Sequence, residues 1–136
     1  LKNKNIDVVV SLGQIKSAEK RKKFYNILKS NKINIPLIVS PLAYVSKYSK
    51  IKEGTIVMHG AIINSNVKIG ENCIINSNAL IEHGVKIGDN CHISTSATIN
   101  GGVTVEDEVF VGSGSIIREE IKIKKKIDCS YGNKII

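Results

Sequence analysis

Residues 45–117 read VSKYSKIKEGTIVMHGAIINSNVKIGENCIINSNALIEHGVKIGDNCHISTSATINGGVTVEDEVFVGSGSII. An aliphatic side chain falls on every sixth position: Val45, Ile51, Val57, Ile63, Ile69, Ile75, Ile81, Ile87, Ile93, Ile99, Val105, Val111 and Ile117. Two places before each stands a mostly small residue, among them Ala61, Cys73, Ala79, Cys91 and Ala97. Neither a helix period of about 3.6 nor a plain strand alternation produces a strict six. A hexapeptide repeat does, and it reads as a parallel β-helix in which three hexads close a triangular coil of about eighteen residues. Side chains alternate along extended chain, so the aliphatic residue and the small one share the inward face. Asn66, Gly70, Asn72, Asn78, Gly84, Gly88, Asn90, Gly101, Gly102, Gly112 and Gly114 fall between them, where corners need unusual backbone angles. Each residue then lies above the one a coil earlier, and Cys73 and Cys91 are predicted to stack in one inward ladder.

The rest of the chain bounds the answer. Its 136 residues suffice for one main core and a small lobe. It opens at Leu1 rather than methionine, which reads as a fragment. No apolar run is long enough to span a bilayer and no signal peptide is visible, so no membrane insertion and a cytoplasmic setting are expected. Two of the three cysteines are predicted inside the coil, which suits reduced thiols. The formal net charge is +8, with lysine clusters at Lys16–Lys23 and Lys122–Lys126. With no Trp, only two Phe and no nucleic-acid motif, these read as a solvated basic face or an attraction for a phosphorylated ligand, not as a nucleic-acid surface.

Ahead of the repeat, Ile6–Leu12 reads as a buried strand. A helix follows with Ser17 at its N-cap, an apolar stripe at Phe24, Ile27 and Leu28, and an end near Ser30–Asn34. Leu37–Val39 reads as a second strand, closed by Ser40 and Pro41. Strand, helix and strand suggest the tail of a βαβ unit. The expected organisation is a partial α/β lobe over residues 1–40 and a β-helix over 41–136.

The repeat resembles that of the hexapeptide-repeat acyltransferases, and that resemblance implies left-handed winding, against the usual right-handed crossover preference. The segments VVVSLGQIKSAEKR and IPLIVSPLAYVS resemble the end of the N-terminal Rossmann-like domain in the sialic-acid and amino-sugar-nucleotide acetyltransferases of the NeuD/PglD-like kind. The lobe is then the remnant of such a domain, mainly β overall with the helix beside it. REEIKIKKKI and CSYGNKII read as a last partial coil and an exit strand, the latter resembling the family's closing phrase without its Pro-Ala.

Within NSNALIEHGVKIGDNCHIS the resemblance puts His83 in the place of the catalytic base and Asn76 in that of an active-site asparagine. It puts His92 beside the acetyl-CoA thioester or pantetheine arm, and Ser113 and Gly102 along the coenzyme A groove. Gly13 and Gln14 match the acceptor-contacting turn, with Gln14 replacing the usual Asn. A histidine suits general-base work because its reference pKa lies near 6.5. Many relatives carry an acidic residue directly after that histidine. Here the position is Gly84, and the candidate substitute among catalytic residues is the adjacent carboxylate, Glu82, on the opposite side of an extended chain.

The implied function is acetylation of an amino-sugar nucleotide at the expense of acetyl-CoA, in bacterial surface-glycan or nonulosonate biosynthesis. O-acetylation of a sialic acid stays open, as does a non-catalytic β-helix scaffold. His83 and His92 are nine residues apart, so they lie on different walls of one subunit. They can meet only at a junction, which favours a homotrimer with intersubunit active sites. His59, His83 and His92 lack the ligand spacing of the zinc enzymes with this fold, and no metal is expected.

Overall fold

The computed structural model describes residues 6–15 and 17–125, together with the backbone of Lys134–Ile135. Its architecture is a parallel β-helix of two-residue strands with, among the described residues, one helix, α1, at Glu19–Ser30. Three walls run along the stack. The first joins β1 (Ile38–Val39), β4 (Ile56–Val57), β7 (Ile74–Ile75), β10 (His92–Ile93) and β13 (Phe110–Val111). The second joins β2 (Tyr44–Val45), β5 (Ile62–Ile63), β8 (Leu80–Ile81), β11 (Thr98–Ile99), β14 (Ile116–Ile117) and β16 (Lys134–Ile135). The third joins β3 (Lys50–Ile51), β6 (Lys68–Ile69), β9 (Lys86–Ile87), β12 (Thr104–Val105) and β15 (Lys122–Ile123). All pairing is parallel and keeps the eighteen-residue step, as in Ile56↔Ile74 and Ile74↔His92.

The inward ladder is as the repeat implies. Ile63, Ile75, Ile81, Ile93, Ile99 and Ile117 are fully buried, and the small residues between them close the bends. Each such isoleucine contributes about 1.5–3 kcal/mol relative to exposure. Val45 and Ile51 are only half-buried, because they belong to the first coils and lack a full neighbour on one side. Thr55, Cys73, Cys91 and Val109 form one inward column. Its polar atoms are satisfied within the coil: Thr55 Oγ1 donates to the Gly70 carbonyl at 2.9 Å, and the Cys91 amide donates to Cys73 Sγ at 3.4 Å. The Cys91 thiol is pushed far up by its hydrogen bond with Cys73 and by burial, so it does not ionise.

The outward faces differ from wall to wall. The third wall carries Lys50, Lys68 and Lys86 in direct register. The second carries Tyr44, Ile62, Leu80, Thr98 and Ile116, with Tyr44, Ile62 and Ile116 all exposed. The first is covered beyond its early strands by the N-terminal segment.

That segment departs from expectation in three places. Residues 6–12 make one bridge, Asp7↔Asn34, and no strand, since nothing else runs beside them to extend a ladder. Ile38–Val39 pairs with Ile56–Val57, so this strand opens the β-helix before residue 41 instead of closing a βαβ unit. The buried stripe of α1 is Arg21, Tyr25 and the half-buried Leu28, while Phe24 and Ile27 are exposed. The reason lies in the corner that α1 faces, where Glu53, Glu71 and Glu108 draw in polar partners. Lys29 pairs with Glu53 at 2.6 Å and Glu71 at 2.9 Å, Lys22 pairs with Glu108 at 2.5 Å, and the Tyr25 hydroxyl donates to Glu71 at 2.8 Å. The Lys29 ammonium holds the Glu71 carboxyl below its ordinary range, and Lys125 and Lys22 do the same for Glu108. Part of the basic helix is therefore spent on an acidic corner and is not a free solvated face. Ser17 sits two residues before the helix, and its hydroxyl accepts from the Glu19 amide at 3.1 Å.

Arg21 closes this contact. Its buried guanidinium donates to the carbonyls of Val10 and Leu12 in the N-terminal segment and of Gly54 and Asn72 in the β-helix. Lys16, Lys126 and the segment through Asn133, with the third cysteine, Cys129, lie outside the described residues. The exit strand expected at the C-terminus is present as β16, paired to β14. Replacing Arg21 by Met strands the buried carbonyls of Val10, Gly54 and Asn72, each unsatisfied buried acceptor costing about 1–3 kcal/mol. We expect hydrogen exchange over residues 7–35 to accelerate while amides of residues 61–117 stay protected. Unchanged exchange in the N-terminal segment would refute the clasp.

Candidate functional site

The expected site residues fall into two groups, at opposite edges of the apolar second wall. One group occupies the end of β10 and the corner that follows β7, β10 and β13. His92 is the outward residue of its strand, but it is not an open corner residue: it is only 6 % exposed. The turn at Gln14 covers it. His92 Nδ1 meets the Gln14 carbonyl, which can only accept, so Nδ1 carries the proton. Nε2 is then the acceptor, and it faces the Asn76 side-chain amide at 3.2 Å. Asn76 Oδ1 in turn accepts from the Ser77 amide at 2.8 Å. Phe110, one coil on, meets the His92 ring edge-on with centroids 5.2 Å apart. At the same corner the hydroxyls of Ser94 and Ser113 are 2.9 Å apart.

Gln14, matched to an acceptor-contacting turn, is itself buried. Its Nε2 donates to the Asn90 carbonyl at 2.8 Å, and its Oε1 is buried without a partner. The neighbouring Gly13 is exposed. Sequence reading missed this role, because nothing in the spacing from Gln14 to His92 signals a contact. The link between the two runs through a backbone carbonyl, which any residue supplies.

The other group lies at the corner after β8. His83 is exposed there, and its ring leans over Gly101 in the next coil: a Cβ on Gly101 would lie 3.0 Å from both Cε1 and Nε2. The space belongs to an open cavity of about 500 Å³ lined by Glu82, His83, Gly101, Gly102, Glu119 and Glu120 among others. Gly84 and Gly102 have φ of +71° and +70°, the left-handed geometry this corner demands. Glu82, the candidate carboxylate beside His83, lines the same cavity. It accepts from Asn64 Nδ2 at 3.0 Å, one coil earlier, and from the His83 backbone amide at 3.3 Å. His59 is in neither group; its Nδ1 shares a 2.5 Å hydrogen bond with Ser40. Among the described residues, no group of three His, Cys, Asp or Glu side chains is placed to hold a metal ion, and no helix is long and apolar enough to cross a membrane.

Burial drives the His92 pKa down, with Arg21 acting in the same direction against the Gln14 carbonyl. The folded state thus keeps His92 neutral, while the unfolded chain takes up its proton near pH 6.5. The unfolded state binds more protons below that pH, so stability falls as the solution is acidified through it. We expect melting temperatures between pH 7 and pH 5 to drop less steeply in His92→Gln than in the parent. Parallel curves would show that His92 carries no such linkage.

With this geometry in view, the solved structures of known proteins can be set beside it. The fold matches the acetyltransferase domain of PglB from Neisseria gonorrhoeae FA1090, described in complex with acetyl coenzyme A. That match has a TM-score of 0.91 at 22 % identity and covers 96 % of this chain and 62 % of that one. It also matches PerB from Caulobacter crescentus, in complex with CoA and GDP-perosamine, with a TM-score of 0.66 at 21 % identity over 87 % of this chain and 64 % of that one. WeeI from Acinetobacter baumannii AYE aligns with a TM-score of 0.73 at 22 % identity, covering 86 % and 60 %. The chain thus spans about three fifths of the length of these neighbours. No curated protein sequence matches it. The pattern described as Bacterial transferase hexapeptide (six repeats) fits residues 48–83 and again 84–119, and with more than half its length so matched the chain belongs to the bacterial transferase hexapeptide family.

Proposed function

We propose that the protein transfers an acetyl group from acetyl-CoA to the amine of an amino-sugar nucleotide, with His83 as the general base. The observation that carries this reading is the exposed His83 imidazole at a cavity that Gly101 leaves open. It gains support from the fold shared with PglB, whose structure is a complex with acetyl coenzyme A, and with PerB, whose structure holds CoA and GDP-perosamine. In the step itself the amine nitrogen attacks the thioester carbonyl and the N–C bond forms as the C–S bond breaks. His83 takes the amine proton, and coenzyme A leaves as a thiolate that is finally protonated. No enzyme nucleophile is needed, in keeping with Cys73 and Cys91 facing the core.

Glu82, Glu119 and Glu120 line the cavity with His83. Carboxylates suit an acceptor that arrives as an ammonium and offer nothing to the carboxylate of a sialic acid, which favours N- over O-acetylation. Glu82 serves the corner's geometry through Asn64 and not the proton transfer. The Asn76, His92 and Ser113 corner forms the other half of the site, where the pantetheine arm of acetyl-CoA runs, with Gly102 beside it on the facing edge. Gly13 and Gln14 bring the acceptor-side turn to that half.

The two halves flank the second wall of one chain. When Tyr44, Ile62 and Ile116 of neighbouring copies bury one another, the His83 edge of one copy approaches the His92 edge of the next. A cyclic homotrimer therefore completes each site from two chains. The same chemistry fits a cytoplasmic enzyme, where acetyl-CoA and nucleotide sugars are found.

A coenzyme A release assay with GDP-perosamine and UDP-linked 4-amino sugars tests the reading. His83→Ala should lose about 10²–10⁴-fold in kcat, the usual share of general-base catalysis. Full activity in that variant would put the base elsewhere, and no coenzyme A release by the parent would leave the β-helix as a scaffold. For the assembly, Ile62→Lys should convert a trimer to monomers in light scattering and abolish turnover. An active Ile62→Lys monomer would rule out shared sites.

A further inference from the structure

His83 lacks the acidic neighbour that many relatives place directly after the histidine, and the Glu82 carboxylate is engaged by Asn64 of the preceding coil. The stacking register nevertheless brings two other carboxylates over it. The His83 carbonyl accepts from the Gly102 amide at 3.1 Å, and the Gly101 carbonyl accepts from the Glu120 amide at 2.9 Å. His83, Gly101 and Glu119 thus form one column along the stack, and Gly84, Gly102 and Glu120 the next. Both middle members are glycines, so a gap without side chains separates the histidine from the acidic corner.

The gap is entered from both ends. From below, the imidazole comes within 3.0 Å of where a Gly101 Cβ would stand. From above, Glu120 Cγ lies 3.4 Å from where a Gly102 Cβ would stand. Coils rise about 4.8 Å each. With the ring already reaching one coil upward, the remaining distance is within the span of a glutamate side chain. The titratable groups lining this cavity besides His83 are Glu82, Glu119 and Glu120, with Arg118 adjoining Glu119 in sequence.

We propose that Glu119 and Glu120, reaching across the Gly101–Gly102 gap, are the positioning carboxylates for the His83 base and replace the acid absent from residue 84. A carboxylate facing the imidazole fixes which ring nitrogen holds the proton and stabilises the imidazolium formed on proton transfer. The inference rests on the reading of His83 as the base, but the two can fail separately.

The test is the double substitution Glu119→Ala with Glu120→Gly, which removes both carboxylates and gives residue 120 the glycine already present at the matching corners 84 and 102. In ¹⁵N NMR of labelled protein, with His83 assigned by its loss in His83→Ala, the parent should show one dominant neutral tautomer and the double variant a mixture. In the coenzyme A release assay with GDP-perosamine or a UDP-linked 4-amino sugar, the double variant should lose about tenfold in kcat with KM for acetyl-CoA unchanged. Adding Gly84→Glu to the double variant should restore the single dominant tautomer. The backbone there accepts a glutamate, as Glu108 and Glu120 already adopt φ of 61° and 60° at equivalent corners. An unchanged tautomer ratio in the double variant would overturn the proposal while leaving His83 as the base; an active His83→Ala would overturn both.

Discussion

The strands of the β-helix hydrogen bond in an eighteen-residue step to the coils on either side, and this register constrains everything outside the core as well. In an ordinary sheet a substitution alters one position on one face. Here each position belongs to a column running the length of the molecule, and the chemistry of a column is set by a handful of residues spaced eighteen apart. The inward columns are filled almost uniformly by isoleucine, valine, alanine and cysteine, which leaves the outward columns free to diverge. They do diverge: one wall is largely apolar, one carries lysine, and one disappears beneath the N-terminal segment.

The attachment of that segment is unlike a hydrophobic dock. Its own apolar cluster is small, consisting of Val10, Tyr25 and Ile35 with Leu28 beside them. The larger share of the contact is polar: Arg21 bridges carbonyls of both units, and lysines of α1 neutralise an acidic corner. Buried cations usually need a counter-charge. Arg21 is instead satisfied by carbonyl dipoles, a planar donor set matched to the irregular backbone on either side. The same segment seats Gln14 on His92, so the burial of His92 goes together with the Arg21 contact.

The fold was legible because its signal repeats. Thirteen aliphatic positions in strict step admit one architecture, and the Cys73–Cys91 stack followed from counting alone. His83 was legible as an outward residue for the same reason. What the sequence withheld depends on contacts between the repeat and the non-repeating segment. The apolar pattern of α1 pointed to Phe24 and Ile27, yet an acidic corner selected Arg21 and Tyr25, because partners outside the helix decide which face it buries. His92 looked exposed by its place in the repeat, and only the path of residues 10–15 covers it. Glu82 was adjacent in sequence to the histidine, but Asn64 in the coil before it competes for its carboxylate. The glycine pair at 101–102 read as turn residues; their second consequence, an open column over His83, emerges only from stacking.

The column Lys50–Lys68–Lys86 places like charges in direct contact register on a flat wall. Among the described residues these three have no carboxylate within ion-pair distance, so they repel any second copy that presents the same wall. A solenoid with three similar walls could add neighbours on each side and grow into sheets or fibres. With one wall charged and another occupied by its own N-terminal segment, only a single face is left to associate. The charged wall and the covered wall thus both act against sideways growth of the stack into sheets or fibres.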